Sequence, residues 1–151
     1  MTSGPDIVEK WIERMVETRP EQASALRIRE PDPFRNPIGY AVRKSLAKLW
    51  EELQCDMDPI AIDSALDAII RIHAVQDMPP SQAVGFVVLL RPILREQPGV
   101  FDLVFLENRI DQLVLSAFDK YMQCRDQIMA ARLHERERLT GAHRRAGKAE
   151  A

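Results

Sequence analysis

With 151 residues, 46% of them hydrophobic and 29% charged, the chain has room for one domain built on one core and not for two. Its formal charge of −2 supplies no sequence-wide field to recruit nucleic acid or an acidic membrane, and the basic run from His143 to Lys148 is too short to bind alone. The apolar stretch Ala83 to Leu90 falls well short of the ~20 residues that span a bilayer, which excludes a membrane helix there.

In chain order, Met1 to Gly4 is expected to be a flexible start, and Pro5 then opens a helix ending near Thr18. Its apolar residues Ile7, Val8, Trp11, Ile12 and Met15 recur at three- and four-residue spacing. A short second helix is expected after Pro20, to about Arg29. The prolines at 31, 33 and 37 push their predecessors out of the α region, so Pro31 to Pro37 reads as a turn. Asn36 then caps a helix with Pro37 at its first position and a stripe of Ile38, Val42, Leu46, Leu49 and Leu53, with Trp50 at its edge. Asp58-Pro59 repeats that start. The next helix places Ile62, Ala65, Leu66, Ile69, Ile70 and His73 on one face, with Gln76 at its edge directed to the core and an Asp67–Arg71 pair on the solvated side.

Ile69 to Leu94 is the densest apolar block. Residues 83–90 fit a buried strand or a buried helix by periodicity. A lone strand would leave its backbone groups unpaired, so a helix starting at Pro80 is expected, bent at Pro92 and continuing to about Glu96. Gln97-Pro98-Gly99 is a break. The last helix is expected from Phe101 to Arg138. One stripe (Leu103, Leu106, Ile110, Leu113, Val114, Ala117, Tyr121, Cys124, Ile128) suits the core. A second (Val104, Leu115, Phe118, Met122, Met129, Leu133) exceeds what one small bundle covers. Its central and outer part, Leu115, Phe118, Met122, Met129 and Leu133, is the expected homodimer interface. Residues 139–151 are small and polar and are expected to be a disordered tail, leaving 5–138 as the folded domain.

Chemistry-bearing residues are few. His73 on an apolar stripe is expected to be a hydrogen-bonded core histidine, with haem ligation or pH sensing as the alternatives. Gln76, Asp77, Ser81 and Gln82 cluster at the turn into the central helix, where capping is the first reading and ligand contact the second. Arg125 and Arg132 flank the core stripe and could hold a carboxylate ligand or an internal acid such as Asp32. Trp11, Tyr40 and Trp50 read as packing. Cys55 and Cys124 lie on different predicted helices, with no CxxC pair and no signal-peptide pattern at the start, so inert thiols in a reducing cytoplasm are expected. No nucleophile elbow, phosphate loop, zinc motif or carboxylate pair is present.

The block Ile69 to Arg91 (IIRIHAVQDMPPSQAVGFVVLLR), taken with Lys10-Trp11-Ile12-Glu13, with Asp32-Pro33-Phe34-Arg35-Asn36-Pro37-Ile38-Gly39-Tyr40, and with Ala117-Phe118-Asp119-Lys120-Tyr121-Met122 and Arg125, resembles the RsbRD N-terminal domain. That family is the input half of RsbT co-antagonist proteins of bacterial stressosomes. The resemblance covers about residues 5–138. It implies an all-α, non-enzymatic sensory or regulatory module of about five main helices, without cofactor, usually dimeric, with a last helix that leads into an output domain. Here the chain ends soon after that helix, so a stand-alone member is expected. Its contacts are expected to be a second copy or a regulatory protein, and neither nucleic acid nor membrane. A signal at His73, Gln76, Ser81, Gln82 or Arg125 would act by adjusting the central helix at Pro92 and, through it, the last helix. A haem- or small-molecule-binding carrier is the alternative.

Overall fold

The computed structural model describes residues 4–22 and 34–150. They form six α-helices and, among the described residues, no strand. The helices are α1 (Gly4–Thr18), α2 (Pro37–Gln54), α3 (Pro59–Val75), α4 (Pro80–Gly85), α5 (Leu90–Arg95) and α6 (Leu103–Glu150), with a 3-10 turn at Pro20–Gln22. Since α4 and α5 are the two halves of the expected central helix, the architecture is the expected all-α bundle of five main helices with a long last one. The expected second helix and most of the proline-rich turn fall in 23–33, outside the described residues.

The starts of α2 and α3 follow from local chemistry. Asn36 Oδ1 accepts from the Gly39 amide at 3.1 Å and Asp58 Oδ1 from the Ile60 amide at 3.2 Å, each with proline at the first helical position. Such caps each contribute about 1 kcal/mol. The core then assembles on α6, which packs along α2, α3, α4 and α5, while α1 closes the other side against α2 and α5. Trp11, Leu46, Leu49, Ile69, Ile70, Leu90, Ile110, Leu113 and Tyr121 are buried at its centre. Trp50 is buried too and meets Phe101 edge-on at 5.6 Å. Ile38, expected in the α2 stripe, is instead exposed at the first turn.

The bend in the central helix lies one turn earlier than expected, over Phe86–Leu89. Pro92 is the cause, but at a distance. It has no amide for the Val88 carbonyl and its ring would strike that carbonyl, so Val88 O accepts from the Arg91 amide three residues on, at 3.1 Å. The tightening propagates backwards: Leu90 N bonds Val87 O at 3.2 Å rather than Phe86 O. Pro92 itself sits in the first turn of α5, where a missing amide is tolerated. The freed Phe86 carbonyl would be a buried orphan, and Trp11 Nε1 of α1 donates to it at 2.6 Å. The carbonyl freed upstream of the proline thus becomes a tie between α1 and the central helix.

Helix α6 is 48 residues long and runs past Arg138, through the segment expected to be a disordered tail. Its inner stripe is buried as expected at Leu106, Ile110, Leu113, Ala117, Tyr121 and Cys124, with Leu103, Val114 and Ile128 half-buried against the core.

Candidate functional site

His73 is on the last turn of α3 and is 5% exposed. Its Nδ1 lies 2.8 Å from the Ala83 carbonyl of α4. A carbonyl only accepts, so Nδ1 carries the proton and Nε2 holds the lone pair. Burial pushes the imidazole pKa below its ordinary value. The Ala83 bond opposes that shift and the nearby Arg19 charge reinforces it. The ring is therefore a neutral acceptor at physiological pH. The edge of Phe86 meets it at 5.8 Å.

A cavity of about 230 Å³ opens beside this ring. Met15, Phe86 and Leu89 give it an apolar wall; Thr18, Arg19, Glu21, Ser81 and Gln82 form a polar rim. Arg19 is engaged on both sides, with Nε 3.0 Å from Glu21 Oε1 and Nη1 2.9 Å from Gln82 Oε1. Of the expected site residues, the structure brings together His73, Ser81 and Gln82. It does not bring Gln76 or Arg125 to the cavity. Gln76, expected to point inward, is exposed in the cap of α3, because the helix ends one residue before its side chain would turn back to the core. Arg125 is exposed, and its Nη1 donates to the Tyr121 hydroxyl at 3.2 Å. Arg132 reaches Asp77 at 3.4 Å, and Asp32 lies outside the described residues.

Sequence reasoning missed Arg19, Glu21 and Gly85. Gly85 carried a signal, since a glycine inside a helical block marks either close approach or needed space. Arg19 and Glu21 carried none, as only the return of α1 onto the central helix brings them there.

The cavity is tied to α6 by a short route. The His73 carbonyl accepts from the Met78 amide at 3.2 Å, and the Met78 carbonyl accepts from the buried Tyr121 hydroxyl at 2.6 Å. A second cleft of about 330 Å³, between α3 and α6, holds the buried Lys120. There the charges are satisfied: Lys120 Nζ is 2.8 Å from Asp63 and 3.7 Å from Asp67. Burial opposes the lysine charge, but Asp63 and Asp67 outweigh it and raise the pKa. Cys124 beside them is buried, and burial pushes its thiol up, as suits a packing residue. Among the described residues no group of three or more His, Cys, Asp or Glu side chains is placed to hold a metal ion.

On α6, opposite the core, Leu115 is 68%, Phe118 46%, Met122 42%, Met129 54% and Leu133 56% exposed. Large apolar side chains at this spacing form one stripe, which starts opposite the packed part of the helix and runs on past Ile128, where the helix is exposed on nearly all sides.

Fold and site together define an all-α bundle, with a small cavity beside His73 linked by hydrogen bonds to a long helix that keeps an exposed apolar stripe. The chain belongs to the family described as the RsbT co-antagonist protein rsbRD N-terminal domain, which matches residues 5–136. That is a signalling and regulatory family, of stressosome type. No curated protein and no solved structure matches the chain. No helix among the described residues is long and apolar enough to cross a membrane.

Proposed function

We infer that the chain is a non-enzymatic sensory module of bacterial stress-response signalling, working in the cytoplasm as a homodimer or on a regulatory protein. The observation that carries this reading is the uncovered stripe Leu115, Phe118, Met122, Met129 and Leu133 on the helix that, among the described residues, contacts α2, α3, α4 and α5. Burying such a stripe against a symmetric copy is the commonest solution. An occupant of the His73 cavity would press on Phe86 and on the Ala83–His73 bond. The Met78–Tyr121 link would pass that change to α6 and so to whatever covers its outer face. The interruption of regular helix at residues 86–89, just ahead of Pro92, supports an adjustment of the central helix there.

The double substitution Phe118→Glu and Met122→Glu tests the interface. Both side chains are exposed, so the fold should survive. Light scattering should give twice the chain mass for the wild type and the chain mass for the variant, with unchanged helical circular dichroism. A monomeric wild type, or a variant that stays dimeric, sinks the homodimer.

The cavity also supports the second reading, a small-molecule-binding sensor or carrier. At about 230 Å³ it is smaller than the ~300–1,000 Å³ of pockets that hold drug-sized ligands and cofactors, which favours a small ligand over a haem.

A further inference from the structure

Two features of the His73 cavity define what it would accept. The first is an acceptor without a donor. Nδ1 is committed to Ala83, and among the described residues no group donates to Nε2, although the ring is buried and what surface it has lines the cavity. That nitrogen opens onto the cavity, where water can meet it until a ligand presenting a donor takes the water's place.

The second is Gly85. A Cβ built on it would meet nothing within 4 Å among the described residues, and its backbone is not left-handed. Neither packing nor backbone geometry asks for glycine here, and in a helix glycine is less stable than alanine. What its bare Cα preserves is open volume on the cavity wall.

The remaining walls set size and charge. Arg19 is already neutralised by Glu21 and held by Gln82, so the rim does not call for a charged ligand. The apolar side chains facing the space are Met15, Phe86 and Leu89. A cavity of ~150 Å³ is enough for benzene, so about 230 Å³ takes one substituted ring.

We propose that this cavity binds a small uncharged single-ring aromatic molecule bearing one O–H or N–H donor, of the phenol or aniline class. The donor bonds His73 Nε2 and the ring lies among Met15, Phe86 and Leu89. This rests on the sensory reading given above and names the class of signal it would take.

Phenol is the probe, and toluene, of nearly the same shape without the donor, is its control. Titration calorimetry on the full chain should show saturable phenol binding and toluene about tenfold weaker. Long-range proton–nitrogen NMR of the imidazole should show Nε2, and not Nδ1, shifting with phenol. His73→Phe should reduce phenol to the level of toluene. Gly85→Leu should abolish both while leaving helical circular dichroism unchanged, since the added side chain enters empty space. No saturable phenol binding, with water alone filling the cavity, overturns the proposal. So does toluene binding as tightly as phenol, or a Gly85→Leu variant that binds phenol undiminished. The solution mass separates the two readings: a dimer broken by the Phe118 and Met122 substitutions but blind to phenol loses only the ligand class. Phenol binding to a chain that never dimerises keeps the site and loses the interface.

Discussion

The turn between α2 and α3 and the turn between α3 and α4 look alike in outline, and both are gripped by α6, but they are held in different ways. At the first, carbonyls of the α2 end are shared among several donors. The Glu52 carbonyl takes the Cys55 and Met57 amides, both at 3.2 Å, and Arg109 Nη1 at 3.4 Å. Arg109 also reaches the Leu53 carbonyl at 3.2 Å and that of Cys55. The Glu52 carboxylate closes the turn by accepting from the Asp58 amide at 2.8 Å. At the second, His73 and Ala74 carbonyls accept from Met78 and Asp77, the paired bonds of a Schellman cap, and the segment beyond hangs on single long-range donors. Tyr121 holds Met78 O, and Trp11 holds Phe86 O. One turn is over-determined and acts as a strut. The other is tied at single points, and the cavity sits beside it.

That contrast predicts where single substitutions hurt most. Trp11→Phe should cost the most, about 2–4 kcal/mol, because it strips the Phe86 carbonyl of its donor and leaves part of a fully buried ring site empty. Tyr121→Phe keeps the ring and loses the donor to the Met78 carbonyl together with the weaker acceptor for the exposed Arg125, so about 1–3 kcal/mol is expected. Arg109→Met keeps an apolar stem, and the amides of Cys55 and Met57 still serve the Glu52 carbonyl. About 1 kcal/mol should go with the lost guanidinium at the helix C-terminus and over the Phe105 ring. Urea denaturation of the three variants measures all of these. If Arg109→Met proves as damaging as Trp11→Phe, the strut is no more redundant than the hinge and the comparison fails.

The strut was the more legible of the two regions. Asp58-Pro59 and Asn36-Pro37 announce their helices through bonds of two or three residues' reach, and the stripes of α3 and α6 follow from a 3.6-residue period. The single ties were not legible, because each joins residues far apart: Trp11 to Phe86, Tyr121 to Met78, Arg19 to Gln82. Pro92 advertised a bend, but its position depended on how the freed carbonyls found partners, which local pattern does not fix. His73 was recognisable as a core histidine from its place on the stripe. That its ring borders an open cavity depends on the return of α1 and on Gly85. Gln76 misled because it continued the stripe by one residue past the point where the Schellman cap turns the chain.

The smallest expected effect is also the sharpest discriminator, since it makes the same change at both turns. Met57 and Asp77 each adopt a left-handed backbone, with φ of 51° and 55°. Glycine relieves that strain, worth roughly 1 kcal/mol, and gives back part of it by loosening the unfolded chain. At Asp77 little else is lost. The residue is exposed, and its pair with Arg132 at 3.4 Å joins two side chains more than half in solvent, contributing at most about 1 kcal/mol. Asp77→Gly should therefore change stability by no more than a few tenths of a kcal/mol, with stabilisation expected at high salt, where the ion pair is screened. Met57 is half-buried against the core, so Met57→Gly also removes apolar contact and should destabilise by roughly 0.5–1 kcal/mol at any salt concentration. Thermal melts at low and high salt read both. A destabilising Asp77→Gly at high salt would mean that the aspartate does more at the cavity-side turn than hold its backbone angle, and that this turn is better anchored than its single ties imply.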